Sequence, residues 1–527
     1  MHNADGATEY DEVPYPCGGL EQTHPEHLAT LAALFGLTPP PLATCRVLEL
    51  GCGDGSNLIP IARALPQATF VGIDLSSRQI QSGLTEIAQL GIPNLSLRQQ
   101  DILDFGQGEQ PFDYIIGHGI YSWVPAPVRD KILAICGRLL SPNGVAYLSY
   151  NTYPGWHLRA PFRDMMRFHT QHLSDPQRRV KQGLAMVNFV AEAVPQHLSV
   201  HRQNAKFELQ RLCGLPPDYL IHDDLAEINQ PFYFYEFVTA AAEYGLQFLA
   251  EADFRAMQDS RLSPEARAML RQADDLHVME QYRDFITCNS FRQTLLCHED
   301  QPIDRRLKPS TMEQFLIQSA VRCKSGSPKL TEAVEEEFET SNITLALTDP
   351  LAKAALVVLS EHHPQALPFD VLFEQALLRS ATKEQADHNP AYRSHQRGEL
   401  GDLLLAGYGA GILQLHLFQP AFRLDPGDHP QLDAFARLRI SKQQEATTPL
   451  LDNIHFDEPF GRNLALLCDG VRSQAEIIDE LLQRVGSGEF PKELPQGPLP
   501  DRDTLRHVVA ERVTECLNRI AHYALFV

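Results

Sequence analysis

The stretch "VLELGCGDGSN", residues 47–57, constrains the fold of this chain more than any other. Its apolar start reads as a strand, and an apolar pattern with helical spacing begins at Leu58. Between them lie Gly51, Gly53 and Gly55, which lack a Cβ and let the backbone turn tightly and approach a ligand closely. A strand, a glycine turn and a helix in this order predict a ligand-binding α/β sheet.

The spacing of these glycines argues against a nicotinamide dinucleotide. The dinucleotide pattern G-x-G-x-x-G needs a glycine at position 56, which is Ser56 here. The pattern is instead E-x-G-x-G-x-G, beginning at Glu49, and it leaves no room for a pyrophosphate on the helix N-terminus. This spacing resembles the first motif of class I S-adenosylmethionine (SAM) dependent methyltransferases. The resemblance implies that SAM, which has no phosphate, is the cofactor; for the loop alone, a tight turn without a ligand is the alternative.

Two further carboxylates follow predicted strands. Asp74 ends the second strand, where an acidic side chain can accept hydrogen bonds from both ribose hydroxyls. Asp101 follows the third strand, where the methyltransferase family contacts the adenine amino group, with the backbone of Ile102 beside it. Taken singly, Asp74 could be only a helix cap and Asp101 only a solvated turn residue. Three signals in order on successive strand ends favour SAM binding.

Short apolar runs alternate with amphipathic helical segments from Cys45 to Tyr150, which predicts βαβ units and a parallel sheet covered on both faces. A mostly helical region, 158–228, interrupts the alternation. Two later strands are predicted to complete the same sheet. The strands are predicted at residues 46–50, 69–73, 95–98, 114–117, 145–150, 246–250 and 290–297.

The second half of the chain has a different pattern. Three helical segments precede a predicted strand, Gly411–Phe418, which is typical of a winged helix, and the Pro- and charge-rich stretch 419–448 reads as a linker. The predicted fold class is therefore α/β, a Rossmann-like class I methyltransferase sheet with a helical insertion, followed by mainly helical, winged-helix-like C-terminal domains. The predicted domains are a SAM-binding core at 1–157, a helical insertion at 158–228, a regulatory segment at 229–298, a middle winged-helix-like domain at 299–430 and a C-terminal helical domain at 431–527.

Two loops, after the fourth and fifth strands, are candidates for the acceptor side of the site, because ligands of an open parallel sheet lie outside the carboxyl ends of its strands. They contain both tryptophans of the chain, and aromatic rings with polar tips suit a pocket that shields a sulfonium. For an amine acceptor one proton must leave, and His118 or a tyrosine hydroxyl could take it. The alternative is that the rings only pack the loops and that His118 is structural. The candidate catalytic residues are His118, Tyr121, Trp123, Tyr153 and Trp156, and His118 is also a candidate cofactor contact.

The region before the first strand is a candidate lid. In many class I enzymes it folds over the cofactor, which would place Tyr15 or Tyr10 near the methionine end of SAM. His24 and His27 could be imagined as metal ligands, but no CxxC or carboxylate cluster accompanies them, so no metal is predicted.

Four segments carry a closer resemblance. "VPYP…QTHPEHLATLAALFG", "CRVLELGCGDGSNLIPIA", "GHGIYSWVP" and "SYNTYPGW" resemble bacterial methyltransferases with an attached regulatory domain, a group that includes the rickettsial protein-lysine methyltransferases of the outer-membrane protein OmpB. The resemblance implies a SAM cofactor and a homodimer formed through the helical insertion. Gly51, Gly53, Asp74 and Asp101 match its motifs residue by residue. The methyl acceptor does not carry over, so lysine methylation is an expectation by analogy.

The net charge and the cysteine pattern indicate which partners and which compartment suit this chain. A formal net charge of −22 argues against nucleic acid and favours, weakly, a basic protein acceptor. Scattered cysteines without a CxxC pair, no secretory leader and no apolar run of about 18 residues predict a cytoplasmic enzyme without a membrane partner. The predicted function is SAM-dependent methylation of a protein, at a lysine nitrogen. The alternatives are a small-molecule methyltransferase of secondary metabolism and a SAM-binding sensor or scaffold without catalysis.

Overall fold

The computed structural model describes residues 15, 18–259, 262–380, 383–443, 445–449, 451–487, 490 and 501–527. Tyr10, the second lid candidate, lies outside these residues. No helix among them is both long and apolar enough to cross a bilayer.

A seven-stranded sheet forms the centre of the first half, in the order β3-β2-β1-β4-β5-β7-β6. The first five strands are parallel, and β7 runs antiparallel to both β5 and β6. The carboxyl ends of β1–β6 and the beginning of β7 therefore share one edge. This confirms the predicted fold class. The strands are β1 Arg46–Leu50, β2 Thr69–Asp74, β3 Leu95–Gln99, β4 Phe112–Gly117, β5 Leu140–Asn151, β6 Leu246–Glu251 and β7 Phe291–His298.

Helices cover both faces of the sheet, and their ends follow local sequence signals. The helix after β2 begins where Ser76 accepts a hydrogen bond from the Gln79 amide at 3.2 Å, and it ends at Gly91, whose φ of 64° is left-handed. Residues of β1 alternate between the two hydrophobic cores, so each sheet face has its own core. The helices up to this point are α1 Pro25–Leu34, α2 Leu58–Ala64, α3 Ser77–Leu90 and α4 Ala126–Leu139.

The helical insertion has a small core of its own. Its first helix begins at Gly155 rather than at 158. The backbone of Gly155 lies so close to the Cys288 and Asn289 carbonyls that a Cβ would clash with them. Trp156 therefore lies in a helix and not in the loop to which the sequence assigned it. The insertion comprises α5 Gly155–Thr170, α6 Pro176–Ala193, α7 Ser199–Cys213 and α8 Pro217–Asp223.

The segment that completes the sheet adds three helices to β6 and β7. The strand predicted at 246–250 is present, and Gly245 adopts φ 70° between it and the helix before it. The helices are α9 Phe234–Ala242, α10 Pro264–Leu270 and α11 Leu276–Thr287.

The second half contains small antiparallel sheets and eight described helices. Its first part consists of β8 Leu316–Gln318, β9 Arg322–Cys323, β10 Glu336–Glu339, β11 Thr344–Leu347, α12 Pro350–His362, β12 Leu367–Pro368, α13 Phe369–Arg379, α14 Lys383–His388, α15 Pro390–Ala410 and β13 Gln414–His416. Its second part consists of α16 Ala434–Gln443, β14 Glu445–Thr447, β15 Asn453–His455, α17 Pro459–Leu467, α18 Gln474–Gly486 and α19 Arg502–His522.

Two expectations for this half are wrong. The strand predicted at Gly411–Phe418 is only three residues long, because only Gln414–His416 pairs with β8. The stretch 419–448 is not simply a linker, because α16 and β14 lie within it. Its prolines and glycine fall before residue 431, whereas Phe435 and Ile440 of α16 are buried.

The two halves share a core. Buried residues of α1 and of one sheet face pack in the same cluster as α12, α13 and α15. A salt bridge of 2.6 Å between Arg63 on α2 and Asp433 just before α16 also joins them. The second half is thus packed directly against α1 and against α2, the helix that follows the glycine turn.

Candidate active site

The glycine loop leaves the carboxyl end of β1. Gly51, Gly53 and Gly55 have φ angles of 72°, 55° and 76°, which favour glycine. The amides of Gly51 and Cys52 both donate to the Ile73 carbonyl, at 2.9 and 3.0 Å. The loop is therefore fixed to the end of β2. A Cβ on Gly51 would also lie 2.9 Å from Ile120, so a side chain there would be both strained and crowded.

Asp74 lies where the sequence predicts, at the end of β2 and next to the glycine loop. Its Oδ2 accepts a hydrogen bond from the Gly53 amide at 3.0 Å, and its Oδ1 accepts one from the Ser76 amide at 2.8 Å. The carboxylate therefore braces the loop and the start of α3 together. Each carboxylate oxygen can accept more than one hydrogen bond, so this position suits a ligand with hydroxyl donors.

Glu49 is buried beneath the loop. Burial raises the pKa of its carboxyl to about 8, which favours the protonated form at neutral pH. Asn57 Nδ2 donates to Glu49 Oε1 at 2.9 Å, while Oε2 has no hydrogen-bond partner among the described residues. The site thus contains a buried polar atom that a bound ligand could satisfy.

Asn57 connects this carboxyl to the N-terminal region, and the sequence analysis did not single it out. Its Nδ2 also donates to Thr23 Oγ1 at 2.9 Å, and its Oδ1 accepts from the Leu20 amide at 3.0 Å. The only sequence signal was a polar residue just before a helix, which is ordinarily read as an N-cap. Here the side chain makes no capping bond.

The third strand end places Asp101 at the same edge. Asp101 is half-buried, and its Oδ1 accepts from the Leu103 amide at 2.9 Å. Ile102 is buried in the sheet core, so its side chain contributes to packing and only its backbone is available to a ligand. The use of the Ile102 backbone by a ligand stays a prediction.

Tyr15 lies near the start of α3. The Gln79 side chain donates to the Tyr15 carbonyl at 3.2 Å, and the Tyr15 ring lies 5.3 Å from that of Tyr219 on α8. Gln79 is five residues beyond Asp74, so Tyr15 lies near the end of β2, between α3 and the insertion.

His118 follows β4 at the same edge. Its Nδ1 lies 2.9 Å from the Tyr147 hydroxyl and 3.4 Å from Ser149 Oγ. Burial lowers the pKa of His118 to about 4, so the imidazole is neutral at physiological pH. Neither Tyr147 nor Ser149 carried a sequence signal, because both read as ordinary strand residues of β5.

The other aromatic candidates lie in three different surroundings. Tyr121 is buried in the sheet core, 5.2 Å from Phe237, and burial raises the pKa of its hydroxyl. Trp123 and Trp156 meet edge to face at 6.5 Å. Tyr153 stacks on His157 at 4.1 Å. The structure therefore brings the two tryptophans together, and it places Tyr121 among core residues.

The chemistry of these groups fits SAM. The segment from Val47 to Asn57 has no lysine or arginine for a phosphate, whereas carboxyl groups converge at the strand ends. The carboxylate oxygens of Asp74 and Asp101 suit hydroxyl and amine donors.

Three family models match the chain. A methyltransferase domain covers residues 42–211, a predicted methyltransferase regulatory domain covers 216–298, and a PKMT C-terminal winged helix domain covers 428–525. The last match agrees with the predicted winged-helix-like C-terminal domains, and it identifies a winged helix in the unit predicted at 431–527 as a helical domain.

Known proteins match along nearly the whole chain. The uncharacterized protein RP789 of Rickettsia prowazekii is 32% identical, over 98% of this chain and 93% of its own length. The structure of PKMT2 from Rickettsia typhi in complex with AdoHcy is 28% identical and superposes with a TM-score of 0.86, over 97% of this chain and 100% of that one. The fold, the resemblance and the SAM cofactor predicted from the sequence are thereby confirmed. The chain belongs to the family of class I SAM-dependent methyltransferases that carry a methyltransferase regulatory domain and a PKMT C-terminal winged helix domain.

Proposed function

We propose that this enzyme transfers the methyl group of SAM to the side-chain nitrogen of a lysine in a protein. The observation that carries the proposal is the match to PKMT2 from Rickettsia typhi over 97% of the chain, together with the PKMT winged helix domain at its C-terminal end. The rickettsial protein-lysine methyltransferases that the sequence resembles support the choice of lysine.

The residues at the strand ends hold the cofactor in this proposal. Asp74 accepts hydrogen bonds from the ribose hydroxyls, and Asp101 with the Ile102 backbone binds the adenine. Gly51, Gly53 and Gly55 pass beneath the amino-acid part, with Glu49 behind them, and Tyr15 covers it. Bound SAM supplies a methyl group on an already activated sulfur.

The residues in the loops after β4 and β5 then have to align a neutral amine with that methyl group. A lysine ammonium has no free lone pair, so the lysine must lose a proton before it attacks. His118 is neutral in its buried position and lies on a hydrogen-bonded path with Tyr147 and Ser149. Trp123, Trp156 and Tyr153 shape the approach and keep water from the reacting atoms.

We also propose a cytoplasmic homodimer. The nine described cysteines are all free thiols, which agrees with a reducing compartment. The insertion exposes large apolar side chains, with Phe168 75% and Phe207 65% exposed, and such patches are typical of interfaces. Replacing both phenylalanines by serine should halve the molar mass measured by sedimentation; an unchanged mass would place the interface elsewhere.

The experiment that tests the function uses SAM with a labelled methyl group. The purified enzyme is incubated with an extract of the organism that makes it, and protein is then separated from small molecules. Label in discrete protein bands supports the proposal. Label only in small molecules would favour a metabolite enzyme, and bound SAM without any transfer would favour a sensor.

A further inference from the structure

Helix α11 is inverted relative to an ordinary surface helix. Its buried face is polar and charged, whereas its exposed face is apolar. The buried residues are Glu280, Gln281, Arg283 and Asp284. Polar His277 and Thr287 are exposed at the two ends of the helix. The exposed large apolar residues between them are Val278 (43%), Tyr282 (38%), Phe285 (48%) and Ile286 (39%). These apolar residues are spaced i, i+4, i+7 and i+8, so they form one continuous stripe along the helix.

The charged face is buried because it neutralises Arg292 on β7. The Arg292 guanidinium is 2% exposed and contacts Glu251 at 2.7 Å, Asp284 at 2.9 Å and Glu280 at 3.2 Å. A buried guanidinium needs such partners. The packing of α11 on the sheet is therefore accounted for by its charges. The apolar stripe lies on the opposite face of the helix and is partly exposed to solvent.

The stripe leads directly to the candidate active site. The ring of Phe285 lies 5.9 Å from that of Tyr233, which lies 5.1 Å from Tyr153 in the loop after β5. On the other side, α11 ends at Cys288 and the chain enters β7 at Phe291, which is 39% exposed. The Phe291 ring lies 6.2 Å from His118. The apolar surface thus continues from α11 to the edge where the methyl acceptor must approach.

Acidic groups border this surface. Besides burial, the pKa of Tyr153 is raised by the neighbouring Tyr233, Glu236 and Asp164. Glu236 is exposed, as is most of the Asp164 side chain. An apolar strip beside carboxylates is complementary to a segment that carries both apolar and basic side chains.

Tyr235, which is 48% exposed, stacks on Tyr233 at 5.6 Å and so extends this surface. We propose that the exposed face of α11, with Tyr235 and Phe291, is the docking surface for the protein acceptor, and that it binds apolar and basic residues flanking the lysine to be methylated. This inference rests on the proposed function and names the feature of the substrate that the enzyme reads. Because the surface is continuous with His118 and Tyr153, a bound segment would present its lysine to the site. A second copy of the chain is the competing occupant.

The test compares two variants of the full-length protein with a matched control. The first variant, Tyr282→Ser combined with Phe285→Ser, removes two rings of the stripe. The second, Tyr282→Lys, places a positive charge on the stripe that repels a basic segment. Leu378→Ser, at a site 60% exposed on α13, is the control. For each protein the rate of labelled methyl transfer into extract protein, the SAM dissociation constant, the melting temperature and the molar mass are measured.

Loss of two anchor rings should lower the rate at subsaturating extract roughly tenfold. SAM affinity, melting temperature and molar mass should be unchanged, and the control should match wild type. If the double variant is less stable, Tyr282→Lys must show the same loss. If both variants transfer methyl at the wild-type rate, the proposed docking surface is wrong, while the proposed function still holds. A halved molar mass would show that a second copy covers the stripe. If wild type labels no protein, the proposed function fails and this inference fails with it.

Discussion

Asn57 Nδ2 donates to Glu49 Oε1 at 2.9 Å, beneath the glycine loop. This contact joins the end of β1 to the start of α2, and the same amide holds the N-terminal region through Thr23 and Leu20. The loop therefore has a polar support on its buried side. The support depends on a carboxyl whose pKa burial raises to about 8.

Glu49→Gln should make the cofactor-free protein more stable than wild type, by an amount that increases with pH. Folded Glu49 stays protonated up to about pH 8, whereas in the unfolded chain it ionises above its ordinary value of 4.5. Folding therefore takes up a proton between these pH values, and the wild-type protein loses stability there as the pH increases. Glutamine resembles the protonated carboxyl and keeps the acceptor for Asn57.

The free energy of unfolding of the two proteins should agree near pH 4. From pH 4.5 upward the variant's free energy of unfolding should exceed that of wild type by a growing amount, which reaches roughly 5 kcal/mol above pH 8. Urea unfolding at several pH values measures this difference. A difference that does not change with pH would mean that Glu49 titrates normally.

Asp74→Asn should weaken SAM binding strongly. The variant keeps one acceptor oxygen but loses the charge that strengthens hydrogen bonds from ribose hydroxyls. Charge-assisted bonds of this kind imply a dissociation constant raised roughly 10- to 100-fold. Calorimetric titration with SAM measures it, with the exposed Asp104→Asn on the same sheet edge as control. Equal affinities would show that Asp74 only braces the loop.

The rate of the chemical step should not follow an ordinary histidine titration. Burial lowers the pKa of His118 to about 4, so the imidazole is already neutral throughout pH 5.5–9.5. The rate should instead rise with pH, because the acceptor lysine, with an ordinary pKa of about 10.4, loses its proton. Single-turnover rates across this range provide the profile. An inflection near pH 6.5 that disappears in His118→Gln would contradict the assignment.

Arg439→Met should weaken SAM binding although Arg439 lies in the second half of the chain. Its Nη1 donates to Ser56 Oγ at 3.3 Å, and Ser56 directly follows the last glycine of the loop. Loss of a hydrogen bond from a charged donor loosens the loop, and we expect an affinity lower by about three- to tenfold. Lys442→Met is the control, because its ion pair of 2.7 Å with Glu86 joins the same helix to α3, away from the loop. If both variants affect binding equally, the effect is one of domain packing and not of Ser56.

The sequence predicted the features that depend on local pattern. The order of strands and helices, the glycine turn and Asp74 at the end of β2 follow from hydrophobic periodicity and from the geometry of parallel sheets, and all are present. The burial of Tyr121 did not follow, because a tyrosine in a loop reads the same whether it faces a ligand or a core.

The contacts that hold the glycine loop in place could not be predicted from the sequence either, because they join distant segments. Asn57 meets Leu20 and Thr23 across more than 30 residues, and Arg439 meets Ser56 across 383. Contacts between distant segments leave no periodic signal. For helix α11, hydrophobic periodicity predicts the wrong buried face. Its apolar stripe is exposed, and its charged face is buried because it contacts Arg292 on β7.

The most direct test of the account is to locate the transferred methyl group. Protein bands that the wild-type enzyme labels with isotopically substituted SAM are digested and sequenced by tandem mass spectrometry, with Asp74→Asn as the control reaction. The account predicts labelled methyl on lysine Nζ, within a segment rich in apolar and basic residues, and far less of it with the variant. Label on carboxyl or hydroxyl oxygens, or in small molecules alone, would contradict it.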